Sequence, residues 1–295
     1  MSKGIGDAGI KELAGLDHLQ WLDLNMTKVS DAGLKHLSCM KEMRALSLAS
    51  TGITDAGLPE LAAMTELRTL DLSQTKITDA GLRHLAMFKK LEELRLYSTA
   101  VTDSGLQYLA SLPALRRLDL ATTKVTGAGL KHLVGLKHLC TIKLTFCPVT
   151  AAGMKQLGTL TRTRSLDLMF TKVTDAGLVE LGSMRNLKTH ALAYTKVTDV
   201  GLQHLARLPR LDSLALGGTK ITGVGLTTGA EFRRLRDLGL ESCKVTDSGL
   251  KELAQLPQLI GLCRNKSVTD AGLNELGRLK SLQLLRVERT AVTPS

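Results

Sequence analysis

Residues 81–104 read GLRHLAMFKKLEELRLYSTAVTDS, and this stretch contains the plan of the whole chain. Counted from Gly81, apolar residues at offsets +1, +4 and +7 (Leu82, Leu85, Phe88) have the spacing of one helical face. At +10, +13 and +15 (Leu91, Leu94, Leu96) the spacing closes to alternation, which predicts a short strand. Val101 at +20 seals the turn between strand and helix. Thr102 at +21 is a helix-capping residue type, and Asp103 after it belongs in a first turn, where the helix dipole favours a carboxylate.

The same unit recurs in both directions. Its glycine stands at 9, 33, 57, 81, 105, 129, 153, 177, 201, 225, 249 and 272, a 24-residue interval that shortens to 23 at the last step. A single unit cannot bury its leucine face, so neighbours must stack and each contacts mainly the next. A glycine in every unit predicts either a close approach between neighbours or an unusual backbone angle.

The segment L-x-x-L-x-L-x-x-T, as in Leu67–Thr75, resembles the signature of leucine-rich repeats. Threonine mostly fills +18, where that family carries Asn or Cys; Cys147 and Cys243 are the exceptions. The remainder, V/I-T-D-A-G-L-x-x-L, is similar to the cysteine-containing subclass of F-box-linked repeat proteins and to bacterial effectors and planctomycete proteins with T-D-A-G-L units. The resemblance covers residues 5–293. It implies an α/β solenoid, a horseshoe of about twelve 24-residue units with a concave parallel sheet and short outer helices, forming one domain over residues 1–295. Neither end carries an evident polar cap, so a very short cap, a longer parent chain or end-to-end self-association is expected.

Composition limits the function classes. With 43% hydrophobic residues the chain is too apolar for disorder, and no run approaches the roughly 18 apolar residues of a membrane span. The net charge of +11 favours acidic partners. The five cysteines have no well-placed pairs and residues 1–10 have no signal-peptide pattern, so reduced thiols and a cytoplasmic location are expected. There is no glycine-rich phosphate loop, no zinc-type Cys/His spacing and no nucleophile beside a base. His36, His84, His132 and His204 share offset +3 on helices too far apart for a common metal. The expectation is a non-catalytic protein without cofactor or metal.

Four places break the pattern: Thr163 at +10, His190 at +13, Gly229 at +4 and the deletion near Cys263–Arg264. His190 replaces a core leucine. It is expected to be a neutral imidazole bonded to Thr163 or to backbone, with a binding or pH-sensing role as the alternative. The deletion predicts a local bulge.

Offsets +12, +14 and +16 alternate away from the core, flanked by +11 and +17. At +14, Asp71, Arg95, Asp119, Lys143 and Asp167 should form a ladder of alternating charge, neutralising itself or orienting a partner. Trp21 (+12), Tyr97 (+16), Met169 (+16), Phe146, Phe170 and Tyr194 (all +17) map to the same face. The last three aromatics lie in successive units, as a stripe that packs on itself or anchors a protein. Basic residues line both rims: Lys28, Lys76, Lys124, Lys172, Lys196, Lys220 and Lys244 at +19, and Arg44, Arg68, Arg116, Arg164, Lys188 and Arg236 at +11. Asp at +22 should lie close to many of the +19 lysines. These rims fit a solvated edge, an acidic protein or nucleic acid.

The reading is therefore a protein–protein interaction module without membrane association. Tyr97, Phe146, Met169, Phe170, Tyr194 and Trp21 would anchor the partner, and Arg95 and Lys143 would set its orientation. Substrate recognition for a ubiquitin ligase is the version implied by the subclass, although these residues contain no F-box. Nucleic-acid binding through the rims is the other alternative.

Overall fold

The computed structural model describes residues 4–224, 232, 234–256, 258–265 and 269–286. Every repeat begins its strand where leucine spacing changes from helical to alternating. The first unit, Met1–Cys147, contains β1 (Trp21–Asp23), β2 (Ala45–Ser47), β3 (Thr69–Asp71), β4 (Glu93–Arg95), β5 (Arg117–Asp119) and β6 (Thr141–Lys143). The second, Pro148–Ser295, contains β7 (Ser165–Asp167), β8 (Thr189–Ala191), β9 (Ser213–Ala215), β10 (Asp237–Cys243), β11 (Gly261–Asn265) and β12 (Leu284–Arg286). Within each unit consecutive strands pair in parallel, and equivalent residues of neighbouring repeats stand opposite each other, as Leu70 does Leu94. Between strands run short α- or 3-10 helices, from single turns such as Asp79–Leu82 followed by Arg83–Met87 to the nine-residue helix Ala151–Thr159.

The core follows the period. Leu82, Leu85, Phe88, Leu91, Leu94, Leu96 and Val101 are all fully buried, and the equivalent columns supply nearly all of the interior. Phe232 is buried as its +7 position predicts, while Tyr108 is exposed on a helix.

The repeated glycine serves close approach. A Cβ on Gly81 would stand 2.2 Å from Asp55 Oδ1 and 3.1 Å from Leu58 Cδ1. Gly33, Gly57, Gly105, Gly201 and Gly272 face the preceding unit's aspartate in the same way, and none of them has a positive φ. That aspartate does more than sit in a first turn. Asp55 accepts from the Thr78 backbone N–H (2.8 Å) and hydroxyl (2.5 Å) one repeat ahead, and Thr78 accepts in turn from the Ala80 N–H at 3.2 Å. Asp7, Asp31, Asp79, Asp103, Asp175, Asp199 and Asp247 hold the next capping Ser or Thr alike. Ser30, Thr54, Thr102, Thr198 and Thr222 also accept from their own helix, as Thr78 does, so these caps are bonded on both sides and one helix start is tied to the next. Thr269 is held by Asp247 without such a bond. Where the aspartate is replaced, by Gly127 and Gly223, Thr150 and Thr246 instead accept from the third helical N–H, at Gly153 and Gly249.

At +18, the Thr75 and Thr99 hydroxyls donate to the carbonyls of Leu72 and Leu96 in their own turns. Cys147 and Cys243 reach back a repeat to Leu120 and Leu216 carbonyls, and burial pushes both thiols' pKa values up. Cys39, Cys140, Cys147 and Cys243 are free thiols; the Cys263 side chain lies outside the described residues.

Three of the four breaks fall within the described residues. The pairing of β10 with β11 changes register between Gly239 and Cys243, an irregularity beside the shortened repeat. His190 is 1% exposed, and its Nδ1 lies 3.0 Å from the Leu166 carbonyl, so the backbone rather than Thr163 is its partner. Its Nε2 and the Thr163 hydroxyl are both buried without a hydrogen bond among the described residues. Gly229 lies outside the described residues.

Burial lowers the His190 pKa from 6.5 to about 4. Between those values the unfolded chain takes up a proton that the folded chain refuses. Stability contributed by the neutral ring is therefore complete above pH 6.5 and declines as pH falls toward 4. At pH 5 the loss relative to pH 7 should reach about 2 kcal/mol. Denaturant midpoints at the two pH values check this: His190→Leu should remove that part of the acid sensitivity, and an unchanged pH dependence would contradict it.

Candidate functional site

The open face of the strands is built from columns the core leaves free. In the turns after β1–β9, and at the equivalent position within β10, the residue at +17 has positive φ: Met26, Ser50, Gln74, Ser98, Thr122, Phe146, Phe170, Tyr194, Gly218 and Ser242, all between 55° and 68°. This conformation directs the +17 N–H onto the next repeat's +16 carbonyl, as in Gln74 to Tyr97 (2.7 Å) and Tyr194 to Gly217 (2.7 Å). The ladder of hydrogen bonds thereby continues past the strand. Glycine or asparagine ordinarily fills such a position; a phenylalanine or tyrosine there carries a strain of about 1 kcal/mol or more.

Phe170 and Tyr194 hold this strained conformation and stack, with ring centroids 4.4 Å apart and planes 8° from parallel. The opposite side of the Tyr194 ring lies against Gly218, where a Cβ would come within 2.5 Å of Cδ1 and Cε1. The second unit thus holds an aromatic shelf of two stacked rings on successive repeats, ended by Gly218, and a side chain at 218 would displace its last ring. Met169 beside it is half-buried, its N–H donating to Asp167 Oδ1 at 2.9 Å.

In the first unit Trp21 (65% exposed), Tyr97 (39%) and Phe146 (56%) share the strand face or its exit turns. No ring contact among the described residues joins Trp21 or Tyr97 to another aromatic. Met26, at +17 of the first repeat and 81% exposed, is an apolar side chain that counting aromatics did not find. Its column would have revealed it. At Ser50 and Gln74 this column is polar and bonded within itself, the Ser50 hydroxyl donating to Gln74 Oε1.

The charged ladder forms in the expected register, with Asp71 opposite Arg95 and Asp119 opposite Lys143. Arg95 reaches Asp71 at 3.4 Å and Glu93 at 2.6 Å, and Lys143 reaches Asp119 at 3.6 Å. Glu93 also takes Arg117. Burial opposes ionisation of Glu93, yet its two guanidinium partners hold its pKa below the ordinary value. Arg95 and Lys143 are thus already paired within the face.

The exit rim is different. All seven lysines at +19 are exposed, and none takes part in an ion pair among the described residues. The expected neutralisation by Asp at +22 does not occur, because those carboxylates are committed to the caps of the next repeat. Among the described residues there is no cluster of three His, Cys, Asp or Glu side chains placed to hold a metal. No helix among them is long and apolar enough to cross a membrane.

These features define a leucine-rich-repeat α/β solenoid with an exposed strand face. A family model described as Leucine Rich repeat matches residues 63–86, 164–182 and 234–254. Solved structures with a similar fold include an internalin (inlF) from Listeria monocytogenes, at TM-score 0.68 and 22% identity over 98% of this chain and 89% of that one. The Leptospira interrogans LRR protein LIC12759 aligns at TM-score 0.64 and 21% identity, over 98% of this chain and 83% of that one. Internalin C2 from Listeria monocytogenes aligns at 0.54 and 25%, over 80% and 91%. No curated protein sequence matches the chain.

Proposed function

We propose that the chain is a non-catalytic protein-binding module that takes its partner on the open strand face. One observation carries the reading: Phe170 and Tyr194 are kept exposed and stacked at positions where the backbone favours glycine. Exposed rings add little to the buried core, and the same column is filled by polar side chains at Ser50, Gln74, Ser98 and Thr122 under the same backbone conformation. Rigid aromatic anchors beside unneutralised lysines suit an acidic protein surface. In this reading Trp21, Met26, Tyr97, Phe146 and Met169 extend the apolar contact, while Arg95 and Lys143 belong to a self-neutralised floor. The T-D-A-G-L units and the cysteines at +18 support placing the repeats in the cysteine-containing subclass.

Affinity capture from a native lysate, with and without nuclease, tests the proposal. The Phe146→Ala/Phe170→Ala/Tyr194→Ala variant, shown by circular dichroism to be folded, should lose a protein that the unaltered chain retains after nuclease treatment. Equal capture by both chains would remove the aromatic face from consideration. Loss of capture on nuclease treatment would favour nucleic acid on the basic rims.

A further inference from the structure

The side from which the chain enters its strands carries two columns, +9 and +11, that differ between the units. In the first unit they neutralise themselves. Lys90 lies 2.6 Å from Glu66, and Arg68 and Arg116 lie 2.8 and 3.4 Å from Glu92. In the second unit the corresponding acids are largely missing. Lys188, Arg210, Asp212, Arg234, Arg236 and Gln258 line a cleft of about 400 Å³ there, with four cations facing one carboxylate. No ion pair among the described residues involves any of the four cations. The nearest relief is neutral, Arg210 Nη1 donating to Asn186 Oδ1 at 3.0 Å.

The cleft is held by the sheet rather than by mobile loops. Asp212 N–H donates to the Lys188 carbonyl (2.9 Å) and Arg236 N–H to the Asp212 carbonyl (2.8 Å), so these three residues stand side by side where β8, β9 and β10 begin. Arg210 and Arg234 lie two residues earlier in the same repeats. Gln258 closes one end, its amide donating to the Phe232 carbonyl at 2.7 Å.

We propose that this cleft binds a small molecule carrying at least two phosphoryl groups. Three guanidinium groups and an ammonium converge on it, and guanidinium forks match phosphate oxygens two at a time. Its volume lies within the range of small-molecule sites. No aromatic or large aliphatic side chain lines it, so it has no platform for a stacked base, as a single-stranded nucleic acid requires. The same columns of the first unit are neutralised by their own acids. Asp212 supplies an acceptor for a hydroxyl, which suits a sugar bisphosphate better than a bare inorganic anion.

Isothermal titration calorimetry on the full chain tests the assignment, with fructose 1,6-bisphosphate, inorganic pyrophosphate, orthophosphate, citrate and a twelve-nucleotide oligothymidine as probes. The bisphosphate and pyrophosphate should bind at least tenfold more tightly than orthophosphate or citrate. Arg210→Gln and Arg236→Gln should each weaken them about tenfold or more, with unchanged circular dichroism, and Lys172→Gln on the opposite rim should leave them unaffected. Three results would overturn the proposal: no binding of either bisphosphate probe, equal weakening by Lys172→Gln, or tighter binding of the oligothymidine.

Discussion

Glycine at both 170 and 194 should reduce partner capture about 100-fold while changing the stability of the chain by no more than about 1 kcal/mol. The binding loss follows from removing two adjacent rigid anchors, together worth about 3 kcal/mol where such residues form the centre of an interface. Small stability changes follow from opposing terms. Phe170 and Tyr194 have φ of 55° and 57°, and glycine relieves that strain. Against this, the 4.4 Å ring stack disappears, worth about 0.5–1.5 kcal/mol, and glycine adds entropy to the unfolded chain. Titration of the captured partner together with urea denaturation measures both quantities. If stability falls by about 3–5 kcal/mol and capture persists, the shelf is a structural stack and the proposed binding face is wrong.

Gly81→Ala should destabilise the chain by about 3 kcal/mol. The new Cβ would meet the Asp55 carboxylate at 2.2 Å and Leu58 at 3.1 Å, both anchored in the preceding repeat. Asp55 cannot yield without releasing the Thr78 N–H and hydroxyl, and hydrogen bonds to a charged group are worth about 1.5–3 kcal/mol each. A double-mutant cycle gives the sharper test. Asp55→Ala alone strands the Thr78 cap, but it also empties the space the methyl needs. The combined variant should therefore cost clearly less than the sum of the single changes. Strict additivity would show that Gly81 is required for some other reason than the aspartate of its neighbour.

The legible part of the fold was whatever depends on the period. Leu82, Leu85, Phe88, Leu91, Leu94, Leu96 and Val101 are buried because hydrophobic spacing alone assigns them to the helix face and strand face of a stacked unit. The parallel pairing of Asp71 with Arg95 and of Asp119 with Lys143 follows from a 24-residue interval between side-by-side positions. The Asp55–Thr78–Gly81 link was present in the sequence as three recurring residue types, but their repetition did not reveal which bonds join them. A carboxylate at a helix start serves its own dipole or a neighbour's cap with the same local sequence, and only the distance across the stack chooses between them.

The candidate site was less legible. Offset alone places Tyr97, Met169, Phe146, Phe170 and Tyr194 on or beside the strand face, but it does not decide whether the last three, in the turn beyond the strand, stand exposed. Their exposure depends on a left-handed backbone, imposed by the ladder of N–H groups reaching the next repeat's carbonyls. The rim lysines looked neutralised until Asp31, Asp55 and Asp79 proved to be engaged one repeat ahead. By itself, then, the sequence determined the repeat, the core columns and the strand register, because each depends on spacing along one chain. The tertiary structure alone decided which residues at +17 form a shelf, which aspartates are committed to caps and which cations are left without partners. Those outcomes depend on φ angles and on distances between residues about 24 positions apart, and neither is encoded in periodicity.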